Sequence, residues 1–442
     1  MKRLILQAVH LIKQNPFYSL VAIVGTAVTI AFVMVVVMIY EFRSADMAPE
    51  SDRSRLIYTD TGVTMRKDGT DRYRGMGRTA YEKLFTNLPG VEDATWYAAL
   101  MKGACSLPAS SDRHNYNIKN VAPNWFSFFE YDFIAGRPFT QAEYDLARGA
   151  LQEVDSQYKN YEAVMNPDYR CVVVGERVAR QFFGSAEEAV GKTLLINFVP
   201  ATIVGVVADV SSIFQAAYAE IFQPFTLTNE ENQYTYWERN YLRGARLAVI
   251  KMASGTSAEE VRREVERREL VLNNQQTEFQ FKMQNLYNHT EYTFFRGSSV
   301  NPHLVYVLLI LVLLGVPAIS ISGLMNAQMQ GRLSEIAIRK AYGASNVSII
   351  GHFFVEGLVN TLIGGALGFV LSYALVSLGR VWLLGNGISN LSAISVDISM
   401  ALRLDLFALV LLVCLVFNLL AVLLPATLAV RKNIVVTLKG GE

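Results

Sequence analysis

Four stretches of this chain run for membrane length with almost no charge, and one long stretch between the first two alternates apolar and polar positions. A bilayer core needs about 20 apolar residues of helix. Phe17–Tyr40 offers 24 without a charge. No formal charge falls between Pro302 and Gly331, so Leu304–Leu324 is the second predicted span, with Asn301 and Pro302 as start signals. The third is predicted at Ile349–Leu378 and the fourth at Leu406–Val430, ended by Arg431 and Lys432. Lys2, Arg3 and Lys13 precede a first run too long for a cleavable signal peptide and without a clear cleavage site, so an uncleaved signal anchor is expected.

The intervening region is too polar for further spans and too regularly apolar for a linker. Strand patterns at Arg55–Thr59 and Ala94–Met101 flank a helical one at Thr79–Leu88. The order returns at Arg246–Lys251, Ser257–Leu270 and Glu278–Met283, where Ser257 and Glu260 have capping-box spacing. Two such β-α-β units can share one ferredoxin-like sheet with helices on one face. Residues 115–226 are then an inserted subdomain, mostly β, with strands at Arg170–Val174, Thr193–Asn197, Thr202–Val207 and Glu220–Pro224 and a short helix at Glu176–Phe183. The predicted fold class is therefore membrane α-helical with four transmembrane helices, plus a large α+β extracytoplasmic domain of ferredoxin-like units and an insertion.

Charge sets the orientation. Short cytosolic segments carry an excess of Lys and Arg. That excess falls on residues 1–16, on the loop 326–348 (Arg332, Arg339, Lys340) and on the tail 431–442 (Arg431, Lys432, Lys439), whereas loop 379–405 offsets Arg380 and Arg403 with Asp397 and Asp405. Both termini are expected in the cytosol and residues 41–300 outside, with spans at 17–40, 301–325, 349–378 and 406–430. A net charge of +1 gives no field for nucleic acid. The mean hydropathy of +0.25 and 52% hydrophobic residues reflect the apolar runs. Three cysteines and five histidines show no metal-ligand spacing, and no nucleophile–base pair or carboxylate dyad is recognisable, so no catalytic, cofactor or metal residue is assigned. Cys105 and Cys171 could pair only in an oxidising compartment with their Cα atoms close, and that stays open. Gly191-Lys192-Thr193 imitates the end of a phosphate loop, but Ala186 stands where that motif needs glycine and a strand follows instead of a helix.

Three stretches carry a family resemblance. Ala135-Gly136-Arg137-Pro138-Phe139, Val172–Gly184 (VVVGERVARQFFG), Ala189–Ile196 and Ile203–Val210 are similar to the periplasmic core domain of MacB/FtsX-like permeases. Gly331–Ser345 (GRLSEIAIRKAYGAS) resembles the cytosolic loop of that family, and Phe354–Phe369 its third span. The resemblance implies a mechanotransmission-type ABC transporter permease, in which ATP and magnesium belong to a separate cytosolic ATPase. It also implies a second permease copy or paralogue as dimer partner, and in some assemblies a periplasmic adaptor and an outer-membrane protein. The loop is then a coupling element, with Glu335, Ile336, Ile338, Arg339, Lys340 and Gly343 as ATPase-coupling candidates. Its residues support a helix: Glu335 and Arg339 are i,i+4 partners in the favourable order, and Gly343 is a helix stop. The bland alternative is a cationic helix lying in lipid headgroups.

Gly364, Gly365 and Gly368 are helix-packing candidates, serving contacts within one subunit or between two. Glu356 is the one acidic residue in any predicted span and a candidate intramembrane polar site, although a snorkelling or locally paired glutamate is the commoner case. Export or release of a drug, peptide or lipoprotein is the leading functional reading. The alternatives are a relay that activates a cell-wall hydrolase and a membrane-anchored receptor without an ATPase.

Overall fold

The structure is a computed structural model that describes residues 16–44, 46–69, 72–108, 110–145, 170–224, 242, 244–295, 302–331, 333–384 and 404–430. The basic N-terminal segment, the tail and most of the expected outer loop at 379–405 lie outside the described residues. The chain divides into two compact units, one built on Arg43–Ser299 and one on the apolar helices.

The first unit begins where helix α1 (Pro16–Ser44) ends. Strand β1 (Leu56–Thr59) leads into a hairpin of β2 (Gly62–Arg66) and β3 (Arg72–Arg74), then helix α2 (Arg78–Phe85) and strand β4 (Val91–Ala98). Next come β5 (Met101–Ser106), β6 (His114–Val121), the single turn α3 (Trp125–Phe128) and β7 (Phe133–Gly136). Strand β8 (Cys171–Gly175) is followed by helices α4 (Glu176–Phe183) and α5 (Ala186–Ala189), then β9 (Thr193–Ile196), β10 (Val199–Val207) and β11 (Ile221–Pro224). Strand β12 (Arg246–Met252), helix α6 (Ala258–Gln275), strands β13 (Phe279–Met283) and β14 (Leu286–Asn288) and helix α7 (His289–Phe295) complete it.

Among the described residues the main sheet has the order β11-β8-β10-β9-β5-β6-β4-β12-β1-β14, with β7 on β10. Its β11-to-β6 part closes on itself, because β6 also pairs with β11 from Ile118↔Ile221 to Val121↔Pro224. This strand ring, which takes in β5 from outside residues 115–226, is continuous with the rest of the sheet through Tyr97↔Val121. Strand β12 lies antiparallel between β1 and β4. The strand expected to complete that sheet at Glu278–Met283 goes elsewhere: β13 pairs with β2 in a separate sheet, and β14 takes the edge beside β1. The β2–β3 hairpin that draws β13 away, and strand β5, are absent from the sequence reading.

Alternation along the strands explains how both faces are filled. On β1, Leu56 and Tyr58 join one core cluster and Ile57 the other; on β12, Val249 opposes Ala248 and Ile250 in the same way. The second cluster lies under α2 and α6, through Ala80, Leu84 and Phe85 and through Val261, Val265 and Leu272. Helix α6 starts at the capping box, with Glu260 N–H donating to Ser257 Oγ at 3.3 Å and Ser257 N–H to Glu260 Oε2 at 3.1 Å. The first cluster centres on Trp125, whose ring meets Tyr97 and Phe129 and whose Nε1–H donates to Tyr131 Oη at 3.0 Å. Burying an aromatic side chain of this size removes about 150–250 Å² from water.

Charges inside this unit have partners. Arg177 pairs with Glu220, which also accepts from Asn117 N–H at 2.7 Å and so ties α4 to β6. Asp209 receives the N–H of Arg177 at the start of α4, and its carboxyl is raised by burial. The Lys119 ammonium donates to the carbonyls of Gln215 and Ala216, and burial brings it down to about 7. Gly136, in the AGRPF stretch, has φ +70, and a side chain there would strike the Val204 carbonyl. Cys105 and Cys171 are free thiols in different clusters, and burial pushes both up to about 12.

The phosphate-loop look-alike is a turn into β9. Gly191 N–H donates to Ile203 O at 2.7 Å and Lys192 N–H to Ala189 O at 3.1 Å, so these donors are committed to the fold.

The second unit contains α1 and the helices α8 (Pro302–Gly331), α9 (Leu333–Ala341), α10 (Asn346–Leu384) and α11 (Leu404–Val430). Among the described residues Ser19–Glu41 and Asn346–Gly379 are long and apolar enough to cross a membrane by themselves; the apolar stretches Leu304–Gly315 and Phe407–Leu423 are shorter.

Candidate functional site

Helix α9 is short because its C-terminus is built to stop. Gly343 N–H donates to Lys340 O at 2.9 Å and Ala344 N–H to Arg339 O at 3.0 Å. Those two bonds form a Schellman motif, and Gly343 takes the left-handed conformation it requires, φ +85. Ser345 then opens α10, its hydroxyl accepting from Ser348 N–H at 3.2 Å. One helix thus ends and the next begins within a few residues, each terminus carrying a cap for part of its otherwise unpartnered backbone groups. Arg339 and Lys340 occupy the last turn of α9, where the helix dipole favours cations.

The coupling candidates are disposed unevenly around this elbow. Ile338 and Arg339 are exposed, Lys340 is half-buried, and Ala337 is buried. Arg339 and Lys340 each engage a neighbouring group. The side chains of Glu335 and Ile336 lie outside the described residues, although their backbones are helical. The sequence reading missed Tyr342, which is 89% exposed one turn after Ile338, and Val347, 80% exposed beyond the elbow. An aromatic residue directly before the helix-stop glycine was the available signal.

Inside the helical unit the glycines of α10 divide between two neighbours. A Cβ on Gly364 would lie 2.9 Å from the Ile23 carbonyl oxygen, and one on Gly368 2.7 Å from that of Ala27, so these two admit α1. A Cβ on Gly365 would meet Leu411 at 2.5 Å, and one on Gly357 would meet Val422 at 3.2 Å, so those two admit α11. Both contacts are made within a single chain. Asn418 of α11 ties the three helices, its Nδ2 lying 3.3 Å from Thr26 Oγ1 of α1 and from Thr361 Oγ1 of α10.

Glu356 is 2% exposed and has a partner, so it is packed within the bundle instead of extending to an edge. Phe353, one turn earlier, packs with Ala421, Val422 and Ala426. Among the described residues no group of His, Cys, Asp and Glu has metal-binding geometry.

Two sequence families match this chain: a MacB-like periplasmic core domain over residues 19–268 and an FtsX-like permease C-terminal segment over residues 307–434. The chain belongs to the MacB/FtsX-like ABC transporter permease family. This permease is 28% identical over 206 residues to a macrolide export ATP-binding/permease protein, MacB 1, of Yersinia pestis bv. Antiqua (strain Antiqua). That alignment covers 46% of this chain and 30% of the relative. The MacB of Burkholderia cenocepacia (strain HI2424) is 26% identical over 211 residues, covering 48% and 29%. The permease thus aligns with less than a third of the length of these relatives. Their names join ATP binding and permease in one protein, whereas both matched segments here are permease segments.

Solved structures similar to it include a domain of a Porphyromonas gingivalis permease protein, 17% identical, with a TM-score of 0.33 and coverage of 59% of this chain and 98% of that one. The periplasmic region of MacB from Actinobacillus actinomycetemcomitans is 14% identical, with a TM-score of 0.31 and coverage of 51% and 89%. The family is one of inner-membrane proteins carrying a periplasmic domain.

Proposed function

We propose that this chain is the permease subunit of a mechanotransmission-type ABC transporter. In this reading α1, α8, α10 and α11 are four membrane spans, both termini are cytosolic, and the unit built on Arg43–Ser299 is periplasmic, with β4-β12-β1 as its ferredoxin-like framework. A separate ATPase holding ATP and magnesium binds at α9. Its closure moves the spans of two permease copies or paralogues, and the outer unit exports or releases cargo already outside the membrane. Drug, peptide and lipoprotein cargo all fit, as do a periplasmic adaptor and an outer-membrane protein as further partners.

One observation carries the reading above the others. The FtsX-like segment contains a C-capped helix between two apolar helices, with Ile338 and Tyr342 exposed one turn apart. Aromatic anchors of this kind are enriched among residues that dominate interface energy.

The test is copurification with the cognate ATPase, followed by ATP turnover in liposomes, for wild type and the Glu335→Ala/Arg339→Ala double variant. Truncating one partner of a desolvated interfacial charge pair costs about 2–5 kcal/mol, more than an order of magnitude in affinity. The variant is expected to lose binding, or to bind and hydrolyse without moving cargo. Wild-type copurification, turnover and cargo release together would make α9 a lipid anchor.

A further inference from the structure

The outer unit contains a buried polar chain at the point where the polypeptide leaves α1. The last carbonyls of a helix have no partner within it, and that of Arg43 lies 2.7 Å from His289 Nε2. A carbonyl only accepts, so Nε2 carries a hydrogen, and in the neutral ring Nδ1 is then the acceptor. Tyr58 Oη sits 3.0 Å from Nδ1 and donates to it. Beyond it, Tyr58 Oη is 3.5 Å from Glu50 Oε2, which Arg53 Nε approaches to 3.2 Å. The other Glu50 oxygen accepts from Ala217 N–H at 3.1 Å, in the segment joining β10 to β11. Glu50, Arg53, Tyr58 and His289 are all buried, and Tyr292 stacks on Tyr58 with ring centroids 4.3 Å apart.

We propose that His289 is a proton-sensitive latch on the exit of α1, engaged when the ring is neutral and released when it is protonated. Neutral, it ties Arg43 to β1 and, through Tyr58 and Glu50, to the strand ring. A second proton would place a hydrogen on Nδ1, facing the oxygen that now donates to it. Tyr58 would have to turn its own hydrogen toward Glu50 across 3.5 Å, longer than a good O–H···O bond. The groups facing the ring act in both directions. Glu50, the hydrogen bond to the Arg43 carbonyl and Asp46 favour the charge, and Arg53 opposes it, so it is the burial of the charged ring that works against the closed arrangement. Tyr58, Tyr292 and Thr293 are neutral, and the Arg43 guanidinium lies 6.0 Å from the Phe294 ring centroid. Burial outweighs the carboxylates and sets the imidazole below its usual value. A group with a depressed folded value of this kind contributes fully above about pH 6.5 and loses that contribution as pH falls below it. The latch does not depend on ATPase docking at α9.

The experiment is amide hydrogen exchange on the intact protein in lipid nanodiscs between pH 8 and pH 5, corrected for the intrinsic rate. Peptides covering residues 41–46 and 286–295 are followed, with α6 as the internal control. In wild type both segments should lose protection several-fold together as pH drops below about 6.5, while α6 stays protected. His289→Gln keeps an N–H donor but gains no proton, so its protection should not vary with pH. His289→Ala should exchange fast at every pH. A flat wild-type profile, or a His289→Gln profile that follows wild type, overturns the proposal. Should the glutamine variant not fold, titration of the His289 ring by NMR in wild type decides: a midpoint at or above the ordinary histidine value overturns it.

Discussion

In the α+β unit the central strands have side chains packed on both faces, whereas in the helical unit glycines of α10 leave room for the backbone of α1 and for side chains of α11. β8 reads Cys-Val-Val-Val-Gly and is buried along its whole length, with Cys171 and Val173 in one cluster and Val172 and Val174 in another. On α10, Gly364 and Gly368 admit the backbone of α1 to contact distance, and Asn418 supplies a polar tie. The contrast follows from the solvent. Water drives apolar side chains together, so volume and alternation specify the outer unit. Lipid tails are as apolar as leucine, so helices there gain from close van der Waals fit and hydrogen bonds.

Deleting bulk in the outer unit should have the largest effect. Trp125→Ala removes the centre of its aromatic cluster and should cost about 3–5 kcal/mol, lowering the unfolding transition of that unit in calorimetry of the full chain. An unchanged transition would mean that the cluster repacks freely. Adding bulk in the helical unit should come next. Gly364→Leu is expected to cost about 1–3 kcal/mol and to lower the yield of monodisperse protein in detergent. A leucine tolerated at Gly364 would show that α1 and α10 do not need close contact, and the contrast between the units would fail.

The sequence made the helices legible because their signals are local. Charge-free runs, the Ser257/Glu260 capping box and the Gly343 stop each sit within a few residues of the structure they dictate. Pairing between distant strands has no such signature. Nothing around Gly62–Arg74 announces that this hairpin will capture Phe279–Met283, nor does Tyr97 announce Val121 as its partner. The site divides the same way. The spacing of Glu335, Arg339 and Gly343 outlined α9, but the exposure of Tyr342 and Val347 depends on what the elbow leaves uncovered. His289 read as one scattered histidine, because its partners Arg43, Tyr58 and Glu50 are brought to it only by the fold.

Sidedness is the claim on which the functional account rests: the α+β unit must lie on the outer side of the membrane and α9 on the cytosolic side. It is tested in a variant whose buried cysteines, Cys105, Cys171 and Cys414, are replaced, with single cysteines introduced at the exposed positions Ser111, Ser254 and Tyr342. In spheroplasts, an impermeant maleimide should label the Ser111→Cys and Ser254→Cys proteins. The Tyr342→Cys protein should react only after the membrane is permeabilised. Labelling of Tyr342→Cys in sealed spheroplasts, or protection of both outer positions, would contradict the orientation and with it the assignment of α9 to an ATPase.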